Sequence, residues 1–499
     1  MPLELQFPSR APAGEDGFPT RRRALARWLQ ELDGLDRRER SRRLLDGVKQ
    51  LNRLELPARR RLALLEDLRP AVRATLDYLS SRVQSQTLPL PDRARDIHER
   101  NVELLCETGL GYVIVVVAEG PKGRRRRLAL AAERALERNG EWMLRCAQIY
   151  TAVPAAFWHT VHTCYATAEQ AGVTGRRVEA PEVDDERGRQ SVATMYKRIL
   201  LFSLAGTQGM RRGEAARVYA ALADWAAEAS LGTEDEVGET TRFALDLEAP
   251  VPPVPESELA PGAQSRMRIL GVDTVVERAQ RLQDEAPPDD SPLTETSRLS
   301  AGTLQRLVDS WHPFTHERSE RSQRGEEVDA ELALPVIHAR LAAERDPERQ
   351  QRRQRRDVTR AGAALTLQTI EGAAGEEQAE AGASAGADWH EISRGQERTA
   401  AYTAARQAEA RLDREGTLPE HPRWLLQDVS ASGYRLAWDA RGGSRAAVGE
   451  LVALRLAADE SDGERRWSVG VVRRMQFLDD TRFEIGVHAL SRDAVPVRV

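Results

Sequence analysis

Near the end of the chain, "RWLLQDVSASGYRLAWDARGG" (Arg423 to Gly443) sets a carboxylate, a hydroxyl and a glycine at fixed offsets: Asp428, Ser430 and Gly433. An ionised carboxylate can accept two hydrogen bonds from the N1–H and N2–H₂ edge of a guanine. A serine two residues on projects from the same side of an extended backbone and can add a base or phosphate contact. A glycine three residues later permits a turn at positive φ, or close approach of a ligand to the backbone. Arginines complete such a set, because a guanidinium pairs bidentately with phosphate, reads the guanine O6/N7 edge and stacks on the base. Together these groups form a kit for a guanine dinucleotide. The same trio also suits an Asx-type turn closing a hairpin, with Asp428 capping backbone amides and Gly433 left-handed. The residues alone leave both readings open.

The trio sits between two expected strands, "WLLQDV" and "YRLAW". After it come "VGELVALRLA", "RRWSVGVVRRMQFLD" and "TRFEIGVHALS", separated by turns at Ser461–Gly463 and Asp479–Thr481. Several short antiparallel strands in so little chain favour a small barrel, which leaves no sheet edge exposed. Two arginine sets compete to face the trio. Arg394 and Arg398 lie about thirty residues upstream of Asp428, ahead of "TAAYTAARQAEARLD", which has a helical pattern. Arg318, Arg321 and Arg324 directly precede "EEVDAELALPVIHARLA", the best candidate for a first barrel strand, which would begin near Glu326.

Asp428-x-Ser430-x-x-Gly433 followed by "YRLAW" resembles the D/N-x-S-x-x-G motif of PilZ domains, bacterial receptors for cyclic di-GMP. The three strands that follow match that family's order, with Gly449, Gly470 and Gly486 where its barrels favour small residues. The resemblance covers roughly the last 80 residues and some upstream pieces. It implies that Asp428 and Ser430 engage guanine, that Gly433 shapes the turn, and that an upstream arginine pair clamps the phosphates and stacks on the bases. Arg394-Gly-Gln-Glu-Arg398 has the family's RxxxR spelling, whereas the Arg318/Arg321/Arg324 set departs from it. The resemblance further implies an effector in motility, pilus or surface-attachment machinery, acting on a protein partner. A degenerate PilZ-like scaffold that binds proteins and no nucleotide is the alternative.

Upstream, residues Thr20 to about Leu231 carry apolar side chains at three- and four-residue spacing with charges between, interrupted at Pro57, Pro89, Pro91, Gly172 and Gly206. The expected fold is therefore a multidomain α + β chain, an all-α helical-hairpin region followed by a small antiparallel PilZ-like barrel. The expected organisation is a flexible N-terminus (1–19), a helical scaffold (20–247) and a linker (248–265) rich in proline. A mixed region (266–345) contributes the first barrel strand, a low-complexity insertion (346–388) is expected to be disordered, and the barrel domain (389–499) ends the sequence. Within the mixed region, "SRMRILGV" reads as a strand, "DTVVERAQRLQ" as a helix capped by Asp273, and "LSAGTLQRLVDSW" as a helix capped by Ser300.

Composition narrows the function. The chain has 499 residues and a net charge of -5, too mild for bulk attraction to nucleic acid. Lysine occurs only at Lys49, Lys122 and Lys197, so spaced arginines recur by chance, and the tract "ERDPERQQRRQRRDVTR" reads as a solvated linker. Three cysteines without a CxxC pair give neither a disulfide framework nor a cysteine-built zinc site. The N-terminus has no signal pattern and the longest apolar run, "YVIVVVA", is short for a membrane span, so a cytoplasmic location is expected. "VIVVVAEGPKGRRRR" lacks phosphate-loop spacing and reads as a buried helix end, while His159, His162 and Cys164 do not share one helix face. No catalytic constellation stands out, and a binding protein without cofactor, metal or enzymatic activity is expected.

Overall fold

Helices in the first three hundred residues form where apolar positions recur every three or four residues, and they end at the proline and glycine breaks. The computed structural model describes residues 5, 7–12, 17–84, 86, 88–122, 124–178, 190–258, 266–285, 299–312, 321–345, 423–439, 446–455, 467–478 and 482–495. Two compact units divide it: Met1–Arg318 with Arg474–Asp480, and Ser319–Arg473 with Thr481–Val499.

The first unit begins with α1 (Arg22–Asp33), α2 (Arg37–Asn52), α3 (Ala58–Gln84), α4 (Asp92–Glu119), α5 (Arg125–Gln148) and α6 (Ala155–Gln170). Asp36 caps α2, accepting from the amides of Arg38 at 2.9 Å and Glu39 at 3.0 Å. The apolar run read as too short for a membrane is the second half of α4, and Asp92–Lys122 is long and apolar enough to cross one by length and composition alone. Tyr112, Val113, Val115 and Val116 are instead buried, packed in the core with Leu65, Leu68, Ala132 and Leu136 of α3 and α5. The helix ends in a 3-10 turn, Gly120–Lys122, as the buried-helix-end reading has it.

Between α3, α4 and α5 lies a buried ionic cluster. Arg138 reaches Glu137 at 3.0 Å and Glu141 at 2.8 Å, Arg69 reaches Glu137 at 3.0 Å, and Arg134 reaches Glu133 at 2.9 Å. Tyr112 Oη donates to Glu66 at 2.7 Å. Burial works against the charge on Glu137, but Arg138, Arg69 and Arg134 outweigh it and hold the carboxyl low; for Glu133, burial and the charge of Glu137 push it up.

After a short pair, β1 (Arg177–Val178) with β2 (Gln190–Ser191), come α7 (Val192–Leu204) and α8 (Glu214–Trp225). The chain, expected to be helical to about Leu231 within a scaffold ending at 247, then turns to sheet: β3 (Ser230–Gly232), β4 (Arg242–Asp246), β5 (Val254–Pro255) and β6 (Met267–Gly271), in the order β3-β6-β4-β5. The proline-rich stretch expected as a linker therefore carries a strand in its described part. Its Val251 carbonyl accepts from His162 Nε2 at 2.9 Å, while His162 Nδ1 pairs with Tyr196 Oη at 2.7 Å. That makes His162 a satisfied core histidine. Helices α9 (Asp273–Asp284) and α10 (Ala301–Trp311) follow. Ser300 caps α10 as expected, through Thr303 N at 3.2 Å, but Asp273 does not cap α9. Its carboxylate is taken by the amides of Thr240 and Thr241 at 2.7 and 3.0 Å, which tie the preceding loop to the helix start.

The second unit is built on a closed antiparallel barrel. Its strands are β7 (Ser322–Leu332), β8 (Arg423–Ser430), β9 (Gly433–Asp439), β10 (Leu451–Arg455), β11 (Trp467–Phe477) and β12 (Arg482–Ser491), in the order β10-β11-β12-β9-β8-β7. β7 closes the ring by pairing with both β8 and β10. The barrel thus takes its first strand from upstream of 389, as the mixed-region expectation has it, but the strand starts at Ser322 rather than near Glu326. Its supposed continuation "LPVIHARLA" is a helix, α11 (Leu334–Arg345). Ala333, at φ 68°, turns the chain out of the strand, and Pro335 sits in the first turn, where a missing N–H costs nothing. Ile337 and Leu341 of α11 pack on Ala453 and Trp467. Inside, Trp438 stacks on Trp424 at 4.5 Å and on Phe483 at 4.9 Å, with Leu426, Leu436 and Ile485 buried beside them. The insertion expected at 346–388 lies outside the described residues.

Candidate functional site

The β8–β9 hairpin carries the trio. Ser430 pairs with Gly433, so the connection is a two-residue turn, Ala431–Ser432. Up to Leu426 the strands pair in one register, Leu426 opposite Leu436 in the core; then the register slips by one and Asp428 stands opposite Arg435. A bulge of this kind re-aims a side chain. Without the slip, Asp428 would oppose Tyr434. With it, Asp428 joins the face that carries Arg435, since successive strand residues alternate sides and Leu436 belongs to the core face. Gly486 is the β12 residue opposite Arg435.

Asp428 is 2% exposed. Arg435 Nη2 lies 2.6 Å from its Oδ2, and Arg321 Nη1 lies 3.3 Å from its Oδ1. The short contact to Arg435 is an ion pair without an aligned hydrogen bond: Oδ2 accepts none, and Arg435 Nε and Gln427 Oε1 beside it are also buried without hydrogen-bond partners. Buried polar atoms left so cost about 1–3 kcal/mol each, and here they cluster at one spot. Arg321 is the more accessible member, with its side chain 53% exposed against 29% for Arg435. Glu484 of β12 completes the group, 3.9 Å from Arg435 Nη1.

Ser430 makes no deep contact. Its hydroxyl donates to the Gly433 carbonyl at 3.3 Å and lies 3.4 Å from Ser432 Oγ, leaving it near the end of the hairpin. Gly433 differs from the expectation. It is not among the positive-φ glycines, and a Cβ there would lie 2.0 Å from the Val487 carbonyl oxygen. The residue is a glycine because β12 passes against it, with the turn itself made by Ala431 and Ser432. Asp428 likewise caps no turn amides.

Of the two arginine sets, the structure brings Arg321, which directly precedes β7, to Asp428, and leaves Arg324 exposed in the irregular part of β7. Arg318, Arg394 and Arg398 lie outside the described residues. Arg435, Gln427 and Glu484 escaped sequence reasoning. Arg435 stands in plain sight in "YRLAW", but pairing it with Asp428 requires knowing the bulge. Among the described residues no grouping of His, Cys, Asp and Glu could hold a metal ion.

A closed six-stranded barrel, bearing the Asp-x-Ser-x-x-Gly hairpin with arginines on its carboxylate, defines a PilZ-type module. Residues 242–496 match the family described as the middle PilZ domain of the cyclic-di-GMP receptor FimW, and residues 23–235 match the N-terminal domain of the same receptor. The chain belongs to this family. The PilZ domain is there a middle domain rather than a C-terminal one, and the match takes in β4 to β6 along with the barrel. The cyclic-di-GMP receptor FimW of Pseudomonas aeruginosa is 27% identical over 484 residues, covering 94% of this chain and 77% of the relative. No solved structure matches the chain.

Proposed function

We propose that this chain is a cyclic di-GMP receptor whose barrel binds the dinucleotide at Asp428 and signals to a protein partner through the helical unit. The observation that carries this reading is the buried Asp428 carboxylate, which has an oxygen free of hydrogen bonds and two guanidiniums in contact. Guanine N1–H and N2–H₂ supply the donors that carboxylate lacks. The exposed Arg321 leaves Asp428 for a ligand phosphate, with Arg324 and Arg318 next to it in sequence. Arg435 stays, so the carboxylate remains charged while it changes partners. Arg394 and Arg398 form the alternative clamp. Ser430, near the end of the hairpin, is available to the ribose-phosphate edge.

Receptor rather than enzyme is the role that fits a binding family. The cytoplasm, where cyclic di-GMP is made, is the proposed location, and pilus or surface-attachment machinery the proposed setting. A second reading has one specific observation in its favour: Asp428 is already neutralised by two arginines, as it would be in a barrel that binds proteins only. Titration calorimetry of the full chain with cyclic di-GMP separates the two. The receptor reading expects a dissociation constant near micromolar or tighter, about -8 kcal/mol, weakened by Arg321→Ala. Absence of heat from the intact chain supports the scaffold.

A further inference from the structure

The helical unit has a surface cleft that nothing in the barrel chemistry uses. It opens among α2, the end of α3 and the start of α4, with a volume of about 210 Å³. Arg38, Arg82, Arg93 and Arg100 line it, against a single carboxylate, Asp96. Among the described residues, no ion pair engages any of these four guanidiniums. They gather at one apolar cleft in a chain of net charge -5. The floor is apolar: Leu79 is 2% exposed, and Ile97 is half-buried beside it. A second depression of about 290 Å³ adjoins it, sharing Arg38 and Arg100 and lined also by Arg42 and by the carboxylates Asp36 and Glu39, which are engaged by α2 amides and by Arg42 and Arg43.

We infer that this cleft is a docking site for an acidic segment of a partner protein carrying one aliphatic or aromatic anchor residue. The inference rests on the reading that the helical unit is the partner-facing arm, and it names the chemistry of that partner. Three features select a peptide. The part with the apolar floor, about 210 Å³, lies below the roughly 300–1,000 Å³ of small-molecule sites and fits one side chain, while the adjoining depression extends it along the surface as a peptide would run. Its apolar floor rewards an anchor buried at the centre with charges at the rim, the usual anatomy of a protein contact. Arginine forks spread over three helices match carboxylates placed along a chain. A polyanion such as nucleic acid would use the guanidiniums but gain nothing from Leu79 and Ile97.

The test uses the full chain and a set of fluorescein-labelled twelve-residue peptides with Glu/Asp flanks and Leu, Phe, Ser or Lys at the centre, read by fluorescence anisotropy. Leu- and Phe-centred peptides should bind best, and binding should weaken with salt. Reversing Arg38, Arg93 and Arg100 to Glu should cost tenfold or more. Ile97→Asp should abolish the preference for Leu over Ser at the centre. Cyclic di-GMP titration of the same variants should be unchanged, so that failure here and failure of the barrel reading are told apart. Three results overturn the inference: acidic peptides binding no better than lysine-flanked ones, charge reversal changing affinity less than twofold, or heparin and single-stranded DNA binding as tightly as the peptides regardless of Ile97→Asp.

Discussion

Two buried ionic groups in this chain make opposite use of the same side chains. In the helical unit, Arg69, Arg134 and Arg138 meet Glu133, Glu137 and Glu141, and several contacts lie at 2.8–3.0 Å with aligned hydrogen bonds. In the barrel, one carboxylate meets two arginines, the shorter contact lacks an aligned hydrogen bond, and one partner is more than half exposed. The first set is closed by rigid helices: each charge is offset by neighbours held in place, and removing one leaves the others stranded in low dielectric. The second is open. A bulge turns Asp428 toward Arg435 without completing its hydrogen bonds, and a residue at the very start of a strand supplies the remaining charge. Carboxylates with no buried oxygen left unsatisfied, as in the helical set, fix structure, whereas one left with an oxygen free of hydrogen bonds keeps the capacity to accept a ligand.

The comparison can be broken from either side. The largest effect belongs to the closed set: Arg138→Ala should destabilise the chain by about 3–5 kcal/mol, because Glu137 and Glu141 lose their shared partner. Arg321→Ala leaves Asp428 Oδ1 without its hydrogen bond but keeps the Arg435 ion pair, so it should cost less, about 1–2 kcal/mol of unfolding free energy from urea titration. Equal losses in the two variants would erase the distinction between the sets.

Acid should find the helical unit first. Burial, helped by Arg145, lowers His98 to about 4 from an ordinary 6.5. A base that is harder to protonate when folded stabilises fully above 6.5, and that stability drains away as pH falls toward 4. The loss is roughly 3 kcal/mol. Urea midpoints of His98→Gln should therefore fall less between pH 7 and 4.5 than those of the parent.

Gly433→Ala tests the barrel's packing apart from its charges. The added methyl meets a backbone carbonyl rather than a flexible side chain, so about 1–3 kcal/mol of stability should be lost. An unchanged thermal midpoint would show that β12 does not pass against this residue. The finest contrast is within the open set. Arg435→Ala should lower stability more than Arg321→Ala does, since Asp428 then keeps only the longer contact, and Arg321→Ala should lower dinucleotide affinity by about 1.5–3 kcal/mol.

Much of the barrel is legible in the amino-acid sequence, because alternation with period two survives in "WLLQDV", "YRLAW" and "IGVHALS", and the order of the strands follows the chain. The first strand is legible in part, through the alternation of "EEVDAEL", although it starts at Ser322 and takes Arg324 of the basic run into itself. What escapes a sequence reading has local physical causes. No glycine or proline marks the bulge at Gln427, so the pairing of Asp428 with Arg435 is hidden. Gly433 looks like a turn glycine, but the constraint on it comes from a strand more than fifty residues away in sequence. The α11 helix is masked by the preceding strand, although Pro335 marks its start. In the small sheet from Ser230 to Gly271, β6 is legible as "SRMRILGV", while β5 is hidden by prolines, which read as linker until Val254–Pro255 is seen at a sheet edge.

The central claim is that Asp428 is held charged and incompletely satisfied so that a guanine edge can complete it. Calorimetric titration of the full chain and of Asp428→Ala with cyclic di-GMP tests it most directly. Micromolar binding by the parent, lost at least tenfold in the variant while both remain folded, is the predicted result; binding that Asp428→Ala leaves intact would contradict it.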